Sequence, residues 1–276
     1  MPKSWFLRIG LVTGLLFLYL PILLLVILSF NANRSVAVWS GFSFHWYREL
    51  FNDQQLLSAA WLSVQVAFVS ATFAVVLGTL AGLMLARFGA FRGRALFSGM
   101  VSAPLVMPEV ILGLSLLLLF VSLEQLTGWP EGRGMLTIIL SHITFTMAFV
   151  TVVVQSRLVS MDASLEEAAM DLGARPAKVF FVITLPIIAP AIVSGWLLAF
   201  TLSLDDLVIT SFVSGPGSTT LPQVVFSSVR LGLSPKINAL ATIVVAIVAV
   251  GIIIAGIYNA RQERMRQLDE KMAAQG

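Results

Sequence analysis

EEAAMDLGARPAKVFFVITLP, residues Glu166 to Pro186, is the stretch from which the rest of this chain can be read. Ser164 and Glu167 have the S-x-x-E spacing of a capping box, so a helix is expected to start at Ser164. Leu165, Ala168, Ala169 and Leu172 fall on one face at helical spacing. Gly173 follows, where a helix end favours a residue that tolerates the left-handed conformation. Pro176 suits the first turn of a second helix, which runs on into apolar sequence. The stretch reads as a short amphipathic helix, a sharp turn and the start of a membrane helix. Glu166, Glu167 and Asp171 are expected to keep the short helix in water. Spacing alone leaves two readings: an ordinary connecting helix, or a helix shaped to seat in a groove on a soluble partner.

Glu167-Ala168-Ala169, then Gly173, then Ile183-x-Leu185-Pro186 resembles the EAA loop of ABC-type importer permeases, spacings included. The resemblance implies a cytoplasmic coupling helix that docks on an ATP-hydrolysing subunit. Its contact residues would be Leu165, Glu167, Ala168, Ala169, Leu172 and Gly173, within a coupling loop at 157–178.

Composition agrees with a membrane setting. The chain is 58% hydrophobic and 11% charged, with a mean hydropathy of +0.94, which a soluble domain of 276 residues does not reach. It has no cysteine, so disulfide and thiol chemistry are excluded. His45 and His142 are far apart and form no metal-binding motif, so no metal site is expected. The net charge of +3 does not suggest nucleic acid. No G-x-x-x-x-G-K-[ST] loop is present, so ATP would be hydrolysed by a separate chain.

Working outward, an apolar run from Lys3 and Arg8 to Phe30 is long enough to span a core of about 30 Å, and it reads as a retained span rather than a cleaved leader. A polar and aromatic segment follows, with Trp39, His45, Trp46 and Tyr47. Further spans are expected at 58–86, 95–123, 135–155, from Val179 onward, and 237–258. The second contains Gly78-x-x-x-Gly82, a close-packing signal between membrane helices. In the fourth, Thr137, Ser141 and Thr144 share a face suited to packing by hydrogen bonds. The fifth is too long for one straight span; Pro186 and Pro190 can kink it, and it is expected to break near Asp205 and Asp206. The expected organisation is an N-terminal span and outer loop at 1–57, a permease core at 58–260 and a charged tail at 261–276.

These boundaries leave all 17 Lys and Arg residues outside the spans, twelve on the side of the N-terminus and five opposite. The positive-inside rule then puts both termini and the coupling loop in the cytoplasm.

Three acids remain at membrane depth: Glu109, Asp205 and Asp206. An acid at the bilayer centre costs on the order of 2.5–3.5 kcal/mol on insertion scales, so such groups face the bundle interior or water. No Lys or Arg shares their spans, which reads as a cation path without a built-in counter-ion; the plainer alternative is an acid at a wetted helix end. Adjacent aspartates cannot both face the path, and alignment with Thr210 favours Asp206.

Ser203-Leu-Asp205-Asp206-Leu-Val-Ile-Thr, then Ser214-Gly215-Pro216-Gly217, then Thr220-Leu221-Pro222 resembles the spermidine/putrescine branch of the permease family. So do Ala103-Pro104-x-x-x-Pro108-Glu109 and Pro235-x-Ile237-Asn238-Ala239-Leu240-Ala241-Thr242, and the likeness covers nearly the whole chain. It implies a polyamine path formed by Glu109, Asp205, Asp206 and Trp46, with Ser203 a further candidate. Members often carry Asp where this chain has Glu109. Trp46 could meet an ammonium through its ring face or serve as an interfacial anchor.

The chain is therefore expected to be an all-α, polytopic membrane protein with six transmembrane helices and the type I ABC importer permease fold. Its function would be ATP-driven import of polyamines, putrescine ahead of spermidine, across a bacterial inner membrane. The implied partners are a second, similar permease, two cytoplasmic ATPases and a periplasmic polyamine-binding protein; no cofactor is expected on this chain. Another cationic or metal solute is the alternative within the superfamily. An anion carrier would want basic groups or helix N-termini instead. An intramembrane aspartyl protease needs two facing carboxylates, which neighbours about 100° apart on a helix do not provide. An ion-driven transporter should show inverted repeats and needs no coupling motif.

Overall fold

The structure is a computed structural model that describes residues 5–34, 38–231 and 235–250. Among these the chain is helical throughout, apart from an isolated bridge between Asn31 and Phe42. It divides into two compact units, one of Met1–Gln54 with Ser227–Gly276 and one of Gln55–Phe226.

The first unit holds α1 (Trp5–Ser29), α2 (His45–Asn52) and the helix Pro235–Val250. The last of these is the described part of the expected sixth span; the remainder of that span and the charged tail lie outside the described residues. Between α1 and α2, Phe30, Phe42, Phe44 and Tyr47 pack ring against ring.

The second unit is built around α6 (Met135–Ser160), with α3 (Gln54–Arg87), α4 (Arg94–Val106), α9 (Leu185–Leu204) and α10 (Val208–Val213) packed on it. α3 approaches through small residues: a Cβ on Gly78 would lie 2.8 Å from the Val150 side chain, and one on Gly82 would lie 3.2 Å from the Gln155 amide nitrogen. The Gly78-x-x-x-Gly82 spacing is thus a close-packing seam, as expected of such pairs in membranes. Thr137 and Ser141 are buried; Thr137 Oγ1 donates to the Val213 carbonyl at 2.7 Å, whereas Ser141 and the half-buried Thr144 bond within α6.

Five of the described helices are long and apolar enough to cross a membrane. The third expected span is not continuous. It ends as α4 at Val106 and restarts as α5 (Glu109–Thr127), with Met107 extended at ψ 135 and Pro108 at ψ 134. A proline drives the preceding residue out of the helical region and offers no amide. The fourth span runs on to Ser160, so Arg157 belongs to the last turn of α6 rather than to the coupling loop. The fifth begins as a short α8 (Pro176–Val179), widens into a π-helical turn at Phe180–Thr184, and continues as α9. The wide turn directly precedes Pro186, whose ring would collide with a carbonyl four residues back in a regular helix. The expected break near the aspartates is present: residues 205–207 are non-helical, and α10 follows.

Candidate functional site

The coupling stretch forms a short helix, α7 (Ser164–Asp171). It starts at Ser164 as expected, but not through a capping box: Ser164 already lies within the helix, and its amide donates to Asp162 Oδ1 at 2.9 Å. That bond holds the Asp162 carboxyl below the usual carboxylate range. The far end is a Schellman motif. Ala174 donates to the Ala169 carbonyl at 3.0 Å and Gly173 to that of Met170 at 2.9 Å. Gly173 has φ +84, and a Cβ there would meet nothing within 4 Å, so backbone conformation alone demands glycine.

No residue of α7 is buried. Leu165, Glu167, Ala168, Leu172 and Gly173 are exposed and Ala169 half-buried. Leu172 is 90% exposed, an apolar surface with no cover among the described residues. Glu166 departs from its expected role as a solvated acid. Its Oε2 lies 2.7 Å from Arg87 Nε, and its Oε1 accepts from the buried Thr184 hydroxyl at 2.6 Å. Glu166 therefore ties the coupling helix to the end of α3 and to the wide turn of the fifth span.

The second cluster lies at the break between α9 and α10. Asp206 is buried, and its carboxylate is fully engaged. Oδ1 accepts from the Ile209 amide at 3.2 Å; Oδ2 accepts from the Thr210 amide at 2.8 Å and the Thr210 hydroxyl at 2.7 Å. These bonds cap α10 and explain the break: an aspartate offers amides an alternative to the helical carbonyls. His142 of α6, buried to 1% exposure, completes the cluster. Its Nε2 is 3.2 Å from Asp206 Oδ2 and 3.0 Å from Thr210 Oγ1, and its Nδ1 is 2.6 Å from Ser203 Oγ. Asp206 thus has buried hydrogen-bond partners that the sequence did not reveal.

Asp205 is exposed at the end of α9, its amide bonded to the Thr201 carbonyl at 3.2 Å. Glu109 is exposed as the first residue of α5, where a carboxylate suits the positive end of the helix dipole. α5 and α10 meet closely: a Cβ on Gly113 would lie 2.7 Å from the Phe212 ring and 3.3 Å from Ile209 Cα. Glu109 stands four residues before Gly113, about one helical turn from that crossing, and Asp205 stands four residues before Ile209, at the start of the non-helical stretch that leads into α10. Ser203 is buried and engaged with His142. Trp46 belongs to the other unit, where its indole is 7% exposed and donates from Nε1 to the Asn31 carbonyl at 2.7 Å. Among the described residues no group of His, Cys, Asp and Glu side chains could hold a metal ion.

Sequence reasoning missed His142, Arg87 and Thr184. The signal for His142 was present: it sits among Thr137, Ser141 and Thr146, on an otherwise apolar helix, and a lone imidazole in such a span needs polar partners.

Residues 78–267 match the family model described as binding-protein-dependent transport system inner membrane component. The chain belongs to that family. It is 59% identical over 266 residues to the putrescine transport system permease protein PotI of Escherichia coli K12, covering 96% of this chain and 95% of that protein. It is 43% identical over 249 residues to the spermidine/putrescine transport system permease protein PotC of the same strain, covering 90% and 91%. Among solved structures, a bacterial ABC transporter involved in import of the polysaccharide alginate superposes with a TM-score of 0.72 at 20% identity, over 94% of this chain and 96% of that one. The last comparison bears on fold alone. The family identifies the chain as an all-α permease component of an ABC-type importer in the inner membrane, a transport subunit rather than an enzyme.

Proposed function

We propose that this chain is one permease of an ATP-driven importer for polyamines, with putrescine ahead of spermidine as substrate. The single observation carrying the cationic substrate is the exposed Asp205, which has no basic partner among the described residues, at a break in a membrane helix and four residues before the crossing that Glu109 also flanks. A dication stripped of water without compensation would cost tens of kcal/mol. The breaks supply compensation twice over. α4 and α9 both end there, and helix C-terminal carbonyls carry partial negative charge. The names of the relatives at 59% and 43% identity support the same class.

On this reading Asp205 and Glu109 line the path, while Asp206 and Ser203 hold the break in shape. Trp46 anchors the outer segment through its buried indole. The exposed face of α7 seats on a cytoplasmic ATPase, a second permease completes the pathway, and a periplasmic binding protein delivers the polyamine. Both termini face the cytoplasm. ATP-driven closure of two ATPase subunits moves α7, and the Glu166 contacts to Arg87 and Thr184 pass that motion to α3 and the fifth span.

The test is uptake of radiolabelled putrescine, with unlabelled spermidine as competitor, by cells expressing Asp205→Asn alongside the parent. Asparagine keeps size and removes charge. Uptake should fall at least about tenfold, the equivalent of about 1.4 kcal/mol, with complex yield unchanged. Parent-like uptake by an assembled Asp205→Asn complex overturns the acidic path.

A further inference from the structure

The break between α9 and α10 has one residue touching both of its sides. Ser203 lies in the last turn of α9, Asp206 and Thr210 lie beyond the break, and His142 of α6 contacts all three. The hydrogens can be assigned. Asp206, as a carboxylate, only accepts. The Thr210 hydroxyl spends its hydrogen on Asp206 Oδ2, leaving its oxygen to accept. The imidazole proton therefore sits on Nε2, shared between Asp206 and Thr210. In the neutral imidazole Nδ1 is then an acceptor, and the Ser203 hydroxyl donates to it. A neutral imidazole with this tautomer satisfies every group once. Lysine or arginine could not accept from Ser203.

Asp205 stands directly between these anchored points. Upstream, its amide is held by Thr201; downstream, Asp206 is fixed by Ile209, Thr210 and His142. The Asp205 side chain has no partner on another residue among the described residues, so its backbone sets where the side chain starts and what its carboxylate can reach.

We propose that His142 is a positioning residue for transport: it staples both sides of the helix break to α6, holds Asp206, and thereby fixes the backbone from which Asp205 presents its charge. This role rests on the reading of Asp205 as a path residue.

The test uses the complete complex, reconstituted with its ATPase and binding protein in liposomes, and reads radiolabelled putrescine taken up per ATP hydrolysed. His142→Gln can place an amide N–H near the Nε2 position and still donate to Asp206; His142→Asn ends near Nδ1 and reaches only toward Ser203. Uptake per ATP should fall about tenfold or more in His142→Asn, the effect of losing one charge-assisted hydrogen bond, and should stay within about threefold of the parent in His142→Gln, where that donor is restored. Combined with Asp205→Asn, His142→Asn should add little, because the group it aims is already gone. If the Gln and Asn variants match each other, whether both normal or both impaired, the staple is refuted and His142 merely fills space. If His142→Asn does not assemble, Ser203→Ala removes the α9 arm of the staple, and parent-like uptake per ATP in that variant refutes the proposal equally. A parent-like Asp205→Asn removes the path reading, and this role with it; an impaired Asp205→Asn with matching His142 variants removes the staple alone.

Discussion

Replacing Gly215 by alanine should damage the protein far more than replacing Gly217, two residues along the same turn. A Cβ on Gly215 would lie 1.9 Å from the Arg133 carbonyl oxygen and 2.6 Å from its carbon. Ordinary carbon–oxygen contacts lie at about 3.3–3.6 Å, so the two loops would have to part by more than about 1 Å. That movement strains the neighbouring ties between the start of α6 and the end of α10: Arg133 Nη1 to the Phe212 carbonyl at 3.3 Å and Thr137 Oγ1 to the Val213 carbonyl at 2.7 Å. Losing both costs about 1–3 kcal/mol at about 0.5–1.5 each, and overpacking adds about 1–3, giving roughly 2–6 kcal/mol. Gly217 is needed for a different reason. Its φ is +74, and a Cβ there meets nothing within 4 Å. Alanine at 217 pays only the left-handed cost of about 1–2 kcal/mol, and asparagine, which visits that region more readily, pays less. The assay is the melting temperature and monodisperse yield of the purified complex, with putrescine uptake per assembled complex. The expected order of damage is Gly215→Ala, then Gly217→Ala, then Gly217→Asn. Equal melting temperatures for Gly215→Ala and the parent would refute the close approach of the two loops.

Other outcomes follow from the coupling loop and the outer segment. Gly173→Val should break the Schellman turn, at a cost above the roughly 1–2 kcal/mol of an unbranched residue in the left-handed region; ATP hydrolysis stimulated by the loaded binding protein should be lost while membrane insertion persists, and Gly173→Asn should recover part of it. Thr184→Val leaves Glu166 Oε1 without its buried donor, and should lower putrescine uptake per ATP more than it lowers ATP hydrolysis; equal losses in both would remove Glu166 from the transmission route. Trp46→Phe deletes one buried hydrogen bond, worth about 1 kcal/mol, and should lower complex stability while uptake per assembled complex stays near the parent; a selective loss of uptake would return Trp46 to the path.

What the sequence disclosed divides by range. The coupling helix and its turn were legible because the chemistry is local: Gly173 and Pro176 act on their own backbone. The break at Met107–Pro108 was equally local, since a proline constrains the residue before it, yet the apolar run masked it. The partners of Asp206 were not legible. His142 is 64 residues away, and helical spacing gives a face without saying which neighbour it meets. The same applies to Glu166 and Glu167. They are adjacent acids in one motif, and only the position of Arg87 at the end of α3 decides that Glu166 is tied down while Glu167 stays free for a partner. The alignment of Asp206 with Thr210 was real, and in the structure it forms a helix cap.

The wide turn at Phe180–Thr184 has an arithmetic consequence. Each α-helical residue advances side-chain direction by about 100°. A turn closed over five residues absorbs one more than an α-turn, so all that follows is set about 100° out of phase with what precedes. On one side stands the coupling segment; on the other stand Ile188, Ala199 and Ser203, buried in the bundle. Ser203 meets His142 with that offset in place. A plain α-helix of the same sequence and the same number of residues, held at its cytoplasmic end, would be longer by only about 1.5 Å yet would rotate Ser203 away from the imidazole. The coupling helix and the break beside Asp206 are indexed to each other by a single supernumerary residue.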